Sequence, residues 1–413
     1  MPTSLDGVFS PKKNYKNMHE FIPFSLPQIG DEEITEVVST LRSGWLTTGE
    51  RTARFEREFA EYTGASHALA LNSCTAALHV SLAALGIKKG DEVITTPLTF
   101  CSTVNTILHV GAKPVFADVA EDGNLDPAEV AKRIGRRTRA ILPVHLGGLA
   151  CDLDGIWALA RKHSLRVVED AAHAVGTFYQ GSHLGSASAS LSDAVAYSFY
   201  ATKNMTTGEG GMVTTNDAKL AAEMRTLSLH GINRDAWKRY RRDGQWHYQV
   251  LSAGFKYNLS DLQSAVGIHQ LRKIEKFTET RAHYARMYHR LLGDLDEIEL
   301  PPDSAVNRNA WHLYALRLRL ERLTIDRAEF IEQLRMRNVG ASVHFIPVPL
   351  HPFFASHAKS AAIHCPRAMA LYPRLVSLPL YPAMSEEQIV QVASAVKAIV
   401  AASRRGKRVA ISA

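Results

Sequence analysis

The sequence predicts an α/β protein, with a mostly parallel central sheet in a large domain and a smaller C-terminal α/β domain after it. Three observations predict this class. The chain has 413 residues, of which 46% are hydrophobic, and this length is typical of two domains. Short apolar segments alternate with helical segments from about residue 64 to residue 215, and long helices predominate after about residue 259. We therefore expect an N-terminal extension at 1–22, a large domain at 23–271, a small domain at 272–402 and a basic tail at 403–413.

Strands rich in valine and isoleucine that alternate with helices indicate a parallel sheet covered on both faces. In such sheets ligands bind outside the carboxyl ends of the strands, so we expect the functional residues there. The predicted strands are His67–Leu71, Glu92–Thr95, Pro114–Ala117, Ala140–Val144, Arg166–Glu169, Ala194–Ser198 and Met212–Thr215. The helices predicted between them are Ala76–Leu85, Ser102–Val110, Pro127–Ile134 and Leu153–His163.

The C-terminal part of the chain has a different pattern, which indicates a mixed α/β domain. A broad apolar stripe predicts one long helix. Ser385, with Gln388 three residues later, is typical of a capping box at the start of the last helix. The predicted helices are Leu259–Leu292, Asp326–Arg337 and Ser385–Val400, and the predicted strands are Leu313–Leu320 and Ser342–Phe345.

The composition excludes several classes of protein. No apolar run approaches the roughly 20 residues that span a bilayer, and the first 20 residues lack the apolar segment of a secretory signal. We therefore expect a soluble, cytoplasmic protein. The cysteines are far apart and form no CxxC pair, so neither a disulfide framework nor a structural zinc site is expected. They are Cys74, Cys101, Cys151 and Cys365.

The net charge is +7, from 48 basic and 41 acidic residues. A basic C-terminal tail contributes to this excess, with Arg404, Arg405, Lys407 and Arg408. Such a tail is compatible with binding to nucleic acid or anionic lipid, and equally with a solvated chain end. No nucleic-acid recognition motif accompanies it, so we expect no nucleic-acid partner.

A lysine in a glycine-rich segment is the strongest local signal. Lys203 follows a strand that ends at Ser198 and precedes Gly210 and Gly211. Burial lowers the pKa of a lysine amine and makes it nucleophilic, as Schiff-base chemistry requires. The glycines allow the backbone to approach a ligand closely. The alternative is a surface lysine at the mouth of a loop.

A carboxylate ends another predicted strand. Asp170 is placed to hold a protonated pyridine nitrogen, the partner that makes pyridoxal 5′-phosphate (PLP) an electron sink. His173 lies three residues later and is expected to reach the same ligand. The alternative is that Asp170 caps a helix, since aspartate at a strand-to-helix turn often binds free amides.

Two further strand ends have residues suited to a cofactor. Thr75 and Ala76 begin a predicted helix, whose free amides are suited to bind phosphate. Phe100 follows a strand end and is placed to stack on a planar ring. The alternatives are ordinary helix capping for the first pair and a core aromatic for Phe100.

Taken together, these segments resemble the DegT/DnrJ-type PLP-dependent sugar aminotransferases, which are fold-type I aminotransferases. The resemblance extends from about Phe24 to Val400. It depends on the segments Gly44–Gly49, Asn72–Leu78, Gly90–Pro97, Pro143–Leu146, Glu169–Ala172, Ser198–Gly211, Tyr257–Gln263 and Ser342–Pro347.

The resemblance implies a role for each matching residue. Lys203 would hold PLP as a Schiff base and then move protons, and Asp170 would pair with the pyridine nitrogen. His173 would contact the phenolic oxygen, where many relatives have glutamine. Phe100 would stack on the ring. The implied phosphate ligands are Thr75, the amide of Ala76, Ser198 and, in a homodimer with shared active sites, Asn258 of the partner subunit.

The implied reaction moves an amino group, usually from glutamate, to a nucleotide-linked keto-sugar by a ping-pong mechanism. Some relatives are sugar dehydratases that have histidine in place of the lysine, and a non-catalytic PLP-binding regulatory protein is a second alternative. Many relatives have Ser-Gly-Thr where this chain has Ser73-Cys74-Thr75. Asn258 also suits a helix cap. The sequence does not identify the sugar, which depends on segments near 231–246 and 344–354.

Overall fold

The computed structural model describes residues 21–232, 247–355 and 363–405. The N-terminal extension up to residue 20, most of the segment 231–246 and the tail beyond residue 405 therefore lie outside the described residues. Over the described part, the predicted α/β class is confirmed. Seven strands form a central sheet, and three further strands form a small separate sheet.

The strands are β1 (His67–Leu71), β2 (Glu92–Thr95), β3 (Lys113–Phe116), β4 (Thr138–Leu142), β5 (Arg166–Asp170), β6 (Phe178–Tyr179), β7 (Ser182–His183), β8 (Ala194–Ser198), β9 (Gly211–Thr215), β10 (Ile298–Glu299), β11 (Tyr314–Leu318) and β12 (Leu375–Leu378). The helices are α1 (Asp31–Ser43), α2 (Glu50–Thr63), α3 (Cys74–Ala84), α4 (Cys101–His109), α5 (Pro127–Ala131), α6 (Leu153–His163), α7 (Ala218–Ser228), α8 (Asp261–Leu292), α9 (Arg327–Met336), α10 (Pro366–Leu371) and α11 (Glu386–Ser403).

The central sheet has the strand order β1-β9-β8-β5-β4-β2-β3. Strands β2, β3, β4, β5 and β8 pair in parallel, whereas β9 is antiparallel to both β1 and β8. Successive residues of β8 pack into different cores: Ala194 and Ala196 face α3 and α7, and Val195 and Tyr197 face α2, α6 and α8. Because successive strand residues point to opposite faces, this alternation confirms a sheet that is covered on both sides.

The antiparallel strand β9 brings two predicted motifs together. A Cβ atom built on Gly211 would lie 2.5 Å from the backbone nitrogen of Cys74 and 2.4 Å from the carbonyl carbon of Ser73. Only glycine allows the start of β9 to lie this close to the start of α3. The glycine-rich segment after Lys203 and the predicted phosphate-binding turn are therefore neighbours in space.

The long helix α8 belongs to two hydrophobic cores. Ile268, Ile274 and Phe277 pack in a core beneath the central sheet. Tyr284 and Tyr288 pack in a second core, together with the sheet β10-β11-β12 and α11. The division of the chain at residue 271 remains a prediction, and the change from one core to the other falls between Phe277 and Tyr284.

The predicted strand Ser342–Phe345 is wrong. Only Ser342 pairs with the small sheet, through an isolated bridge to Ser377. The chain then leaves the sheet, and the amide of Val348 donates to the carbonyl of Pro97 at 2.9 Å. Pro347 and Pro349 lack the amide hydrogen that a ladder requires, so the segment turns towards the end of β2 instead.

The other predicted elements occur: β1, β2, β8 and α6 have the predicted bounds, and the rest have shifted ends. The capping box of Ser385 and Gln388 is confirmed. Sequence patterns did not reveal α1, α2, α7, α10 or the short strands β6, β7, β10 and β12. Within the three described ranges, no helix combines the length and the apolar character that crossing a membrane requires.

Candidate active site

A cavity of about 470 Å³ opens at the carboxyl ends of β5 and β8. Most residues that the sequence analysis identified lie around this cavity. This is expected, because ligands bind at the carboxyl ends of the strands in such sheets. Its walls include Thr75, Phe100, Asp170, His173, Ser198 and Lys203, together with Cys74, Tyr200, Glu209, His312, His344 and Phe345.

Lys203 lies in the turn after β8, and its backbone amide donates to the carbonyl of Tyr200 at 2.9 Å. Its side chain lines the cavity, so it is not a surface lysine at a loop mouth. Burial lowers the pKa of the amine to about 8, although the nearby Cys74 thiol and the Asp170 carboxylate favour the charged form. A substantial fraction of this amine is therefore uncharged near neutral pH and available as a nucleophile.

Asp170 is the last residue of β5, and both of its carboxylate oxygens accept hydrogen bonds. The hydroxyl of Thr103 donates to Oδ2 at 2.7 Å, and the amide of Ala172 donates to Oδ1 at 3.1 Å. Burial raises the pKa of Asp170, while these two bonds and the charge of Lys203 oppose the increase. The residues after Asp170 form turns rather than a helix, so Asp170 is not a helix cap.

A second carboxylate, Glu169, lies on the opposite face of β5. The carboxylate and the ring of His145 are both fully buried, and Nε2 of His145 lies 2.8 Å from Oε2 of Glu169. The amide of Cys151 donates to Nδ1 of His145 at 3.1 Å. The hydrogen of this ring is therefore on Nε2, and a neutral histidine donates to the carboxylate.

Two of the predicted phosphate ligands line the cavity, and a third is already engaged in a helix cap. Thr75 and Ser198 line the cavity. The amide of Ala76, however, donates to Oγ of Ser73 at 3.1 Å, as in an ordinary N-cap. A phosphate that binds this amide would have to replace the Ser73 hydroxyl.

Phe100 is not a core residue, because 59% of its surface is exposed. It lies at the start of α4, and the centroid of its ring is 6.1 Å from that of Phe345. Two aromatic rings thus flank the cavity, with space for a planar group against Phe100.

Sequence analysis did not identify His312, His344 and Phe345 as individual site residues. His312 precedes β11, and His344 and Phe345 belong to the segment that was predicted as a strand. The rings of His173 and His312 lie 4.3 Å apart, and the ring of Phe345 stacks on His173 at 5.6 Å. The only sequence signal was the similarity of the segment Ser342–Pro347 to the family.

Asn258 lies outside this cavity, beside Thr48. Its Nδ2 donates to Oγ1 of Thr48 at 2.7 Å, and its Oδ1 accepts from the amine of Lys256. It is not the cap of α8, because Ser260 has that position and its Oγ accepts from the amide of Gln263 at 3.3 Å.

The residues present fit PLP. The cavity contains an amine for the aldehyde, a carboxylate for the pyridine nitrogen, hydroxyls at a helix N-terminus for the phosphate and an exposed ring for stacking. In the described ranges, no group of three histidine, cysteine, aspartate or glutamate side chains is suited to hold a metal ion.

Comparison with known proteins gives a consistent result. The model of the DegT/DnrJ/EryC1/StrS aminotransferase family matches residues 27–397. The spore coat polysaccharide biosynthesis protein SpsC of Bacillus subtilis is 48% identical over 384 residues, which are 92% of this chain and 98% of SpsC.

Solved structures agree with the family assignment. Spr1654 from Streptococcus pneumoniae, in a PMP form, has a TM-score of 0.85 and 31% identity and covers 92% of this chain and 99% of its own. A PLP form of Spr1654 is also similar, with a TM-score of 0.84. PseC from Helicobacter pylori, an aminotransferase involved in the biosynthesis of pseudoaminic acid, has a TM-score of 0.84 and 30% identity and covers 93% of this chain and 100% of its own. The chain therefore belongs to the DegT/DnrJ/EryC1/StrS family of sugar aminotransferases, has the fold-type I architecture and uses PLP as its cofactor.

Proposed function

We propose that this enzyme transfers an amino group from glutamate to a nucleotide-linked keto-sugar by a ping-pong mechanism. The observation that supports it most directly is the amine of Lys203 in the same cavity as the buried carboxylate of Asp170. The names of SpsC and PseC, which place those two proteins in polysaccharide and pseudoaminic acid biosynthesis, support a sugar-derived acceptor.

Bound PLP supplies an electron sink for proton removal next to the amino group and holds that group between the two half-reactions. Lys203 attaches the cofactor, and its free Nζ later removes the proton from Cα of the donor and returns a proton in the second half-reaction. Its pKa of about 8 suits both tasks, since the charged and the uncharged amine are then both present near neutral pH. A histidine in place of Lys203 would favour the alternative, a sugar dehydratase, and a regulatory protein would not need this amine.

Asp170 holds the pyridine nitrogen in its protonated form. Its two hydrogen bonds, from Thr103 and Ala172, fix the orientation of the carboxylate. Both donors favour the ionised form and oppose the rise in the pKa of Asp170 that its burial causes. Thr75 and Ser198 bind the phosphate, His173 contacts the phenolic oxygen and Phe100 stacks on the ring.

The active site is completed by a second copy of the chain. Asn258 does not line the cavity of its own subunit. A contact with the phosphate in a neighbouring subunit would therefore replace its present bonds to Thr48 and Lys256. The outer face of α1 supports a homodimer, because Ile34 and Leu41 are 55% and 53% exposed. An apolar face of this kind is typical of a protein interface. All four cysteines are free, which supports a reducing compartment such as the cytoplasm.

The purified enzyme is expected to be yellow, and Lys203→Ala should remove both the absorbance of the lysine-bound cofactor and turnover. The exposed Lys219, on α7, provides the matched control, because Lys219→Ala removes an amine far from the site. Spectra and initial rates of both variants test the assignment. Wild-type absorbance and turnover in Lys203→Ala would rule it out.

Asp170→Asn should keep the fold but reduce turnover by at least about 100-fold, because a neutral amide cannot stabilise the protonated pyridine nitrogen. Thr103→Val provides a graded control: it removes one hydrogen bond and leaves the carboxylate. The measurement is kcat together with the thermal melting curve. An unchanged kcat in Asp170→Asn would show that this carboxylate has only a structural role.

The donor and the acceptor can be identified separately. The protein is first incubated with single amino acids, and conversion of the cofactor to its amino form is followed by absorbance. That form is then mixed with a panel of nucleotide-linked keto-sugars and with the same sugars without the nucleotide. We expect glutamate to react in the first step and only linked sugars in the second. Equal rates with the free sugars would contradict the proposed acceptor.

The role of Asn258 can be tested by mixing subunits. Lys203→Ala chains are inactive, and Asn258→Ala chains should be weakened because they hold the phosphate less well. In a mixed dimer with shared sites, one site has Lys203 and the intact Asn258 of the other chain, while the second site has both defects. Activity per Lys203-containing chain should then exceed that of the Asn258→Ala homodimer.

Subunit exchange must be shown independently, for example with two affinity tags. If exchange occurs and the activity per Lys203-containing chain does not rise, Asn258 does not cross to the neighbouring site.

A further inference from the structure

Two histidines in the cavity form a stacked pair. The ring centroids of His173 and His312 are 4.3 Å apart, at an interplanar angle of 37°. Both side chains are buried, and both line the cavity. His173 follows β5 of the central sheet, whereas His312 precedes β11 of the small sheet. The contact therefore joins the two parts of the protein at the site.

The hydrogen bonding of His173 determines which ring nitrogen has the hydrogen. The amide of Gly147 donates to Nδ1 of His173 at 3.3 Å. Since Nδ1 is an acceptor, the hydrogen of the neutral ring is on Nε2. A neutral His173 thus has one N–H group to donate.

The main chain at His312 is bound by a buried arginine. Arg281, on α8, is only 2% exposed, and its Nη1 donates to the carbonyls of Trp311, His312 and Leu380 at 3.3, 3.4 and 2.5 Å. Nδ1 of His312 is buried and has no hydrogen-bond partner. Such orphaned atoms are rare in native structures.

Basic side chains lie close to this pair, and the carboxylates of Asp170 and Glu209 line the same cavity. Burial lowers the pKa of His173 well below its usual value, and Lys203 and His344 lower it further. Burial also lowers the pKa of His312, and there His173, Lys203, Arg281 and His344 act in the same direction. Both rings are therefore uncharged near neutral pH.

We infer that His312 is a positioning residue, whose ring covers His173, excludes water from it and keeps it as a neutral donor with the hydrogen on Nε2. This inference rests on the proposed contact between His173 and the phenolic oxygen of PLP. Many relatives have glutamine at this position, which is a neutral N–H donor at every pH. Histidine is equivalent to glutamine only while it is neutral, because an imidazolium would place a full positive charge beside Lys203.

The test follows His173 directly. Protein labelled with ¹³C at Cε1 of histidine is titrated from about pH 5 to pH 8 by NMR, without cofactor and with PLP bound, and His173→Gln identifies the signal. In the wild type, the His173 signal should not titrate in this range. In His312→Ala, water reaches His173, and its pKa should rise towards the ordinary value of about 6.5.

Two further variants separate the causes. His312→Phe keeps a ring over His173 and should leave it neutral, whereas His312→Gln removes the ring without removing polarity and should behave like His312→Ala. With PLP bound, His312→Ala should show a new pH dependence of cofactor absorbance at the pKa of His173. This dependence should be absent from the double variant His173→Gln/His312→Ala.

A wild-type His173 that titrates near pH 6.5 overturns the inference without any variant. An unchanged His173 signal in both His312→Ala and His312→Gln overturns it as well. The cofactor-free titration does not depend on any substrate, so a failure of the proposed sugar amination would leave this result intact.

Discussion

The carboxylate of Asp170 and the amine of Lys203 line the same cavity, and the rest of the site depends on keeping both groups there. Removing an ion from water costs several kcal/mol unless hydrogen bonds or an opposite charge replace the lost solvation. Asp170 has such replacements, from the hydroxyl of Thr103 and the amide of Ala172. The Thr103 hydroxyl is in turn 2.7 Å from that of Thr99, so α4 and the loop before it contribute to holding one carboxylate.

Glu169 is a second buried carboxylate, and it also needs groups that replace its lost solvation. Because neighbouring strand residues point to opposite faces, Glu169 is buried on the side away from the cavity and cannot share the partners of Asp170. It is matched separately by His145, whose Nδ1 accepts from the amide of Cys151. The backbone amide of His145 also donates to the carbonyl of Asp170 at 3.1 Å. The pair therefore stabilises one face of β5 and fixes the strand end from which Asp170 faces the other.

The sequence predicted the parts of the site that are formed locally. Lys203, Asp170 and Thr75 each follow a strand with a clear apolar pattern, and the ends of parallel strands meet at one edge whatever the details of packing. His312 and His344 could not be found in this way, since they reach the cavity from segments more than 100 residues further along the chain. The positions of these two histidines depend on how the small sheet packs, and no local sequence pattern indicates that packing.

The failed strand prediction has a related cause. Ser342–Phe345 alternates polar and apolar side chains, as a half-buried strand does, yet Phe345 packs against His173 and Phe100 rather than in a sheet. The alternation was real, but Phe345 lines the cavity instead of packing in a sheet. The alternative that Asn258 caps α8 was likewise excluded only by the structure. By residue type alone, Ser260 and Asn258 suit a helix cap equally well.

Arg281 shows how the packing of the two parts and the electrostatics of the site are connected. It projects from α8, which contributes to both cores, and its hydrogen bonds within the described residues go to main-chain carbonyls. Burial lowers its pKa to about 9, still high enough for the guanidinium to be charged at neutral pH. A carboxylate partner would bind it more strongly, but would also bring a negative charge close to His312 and favour its protonation. Carbonyl groups bind the guanidinium and leave its positive charge uncompensated. The same residue that joins small-domain segments to α8 therefore also favours the neutral form of His312, whose pKa is lowered chiefly by burial.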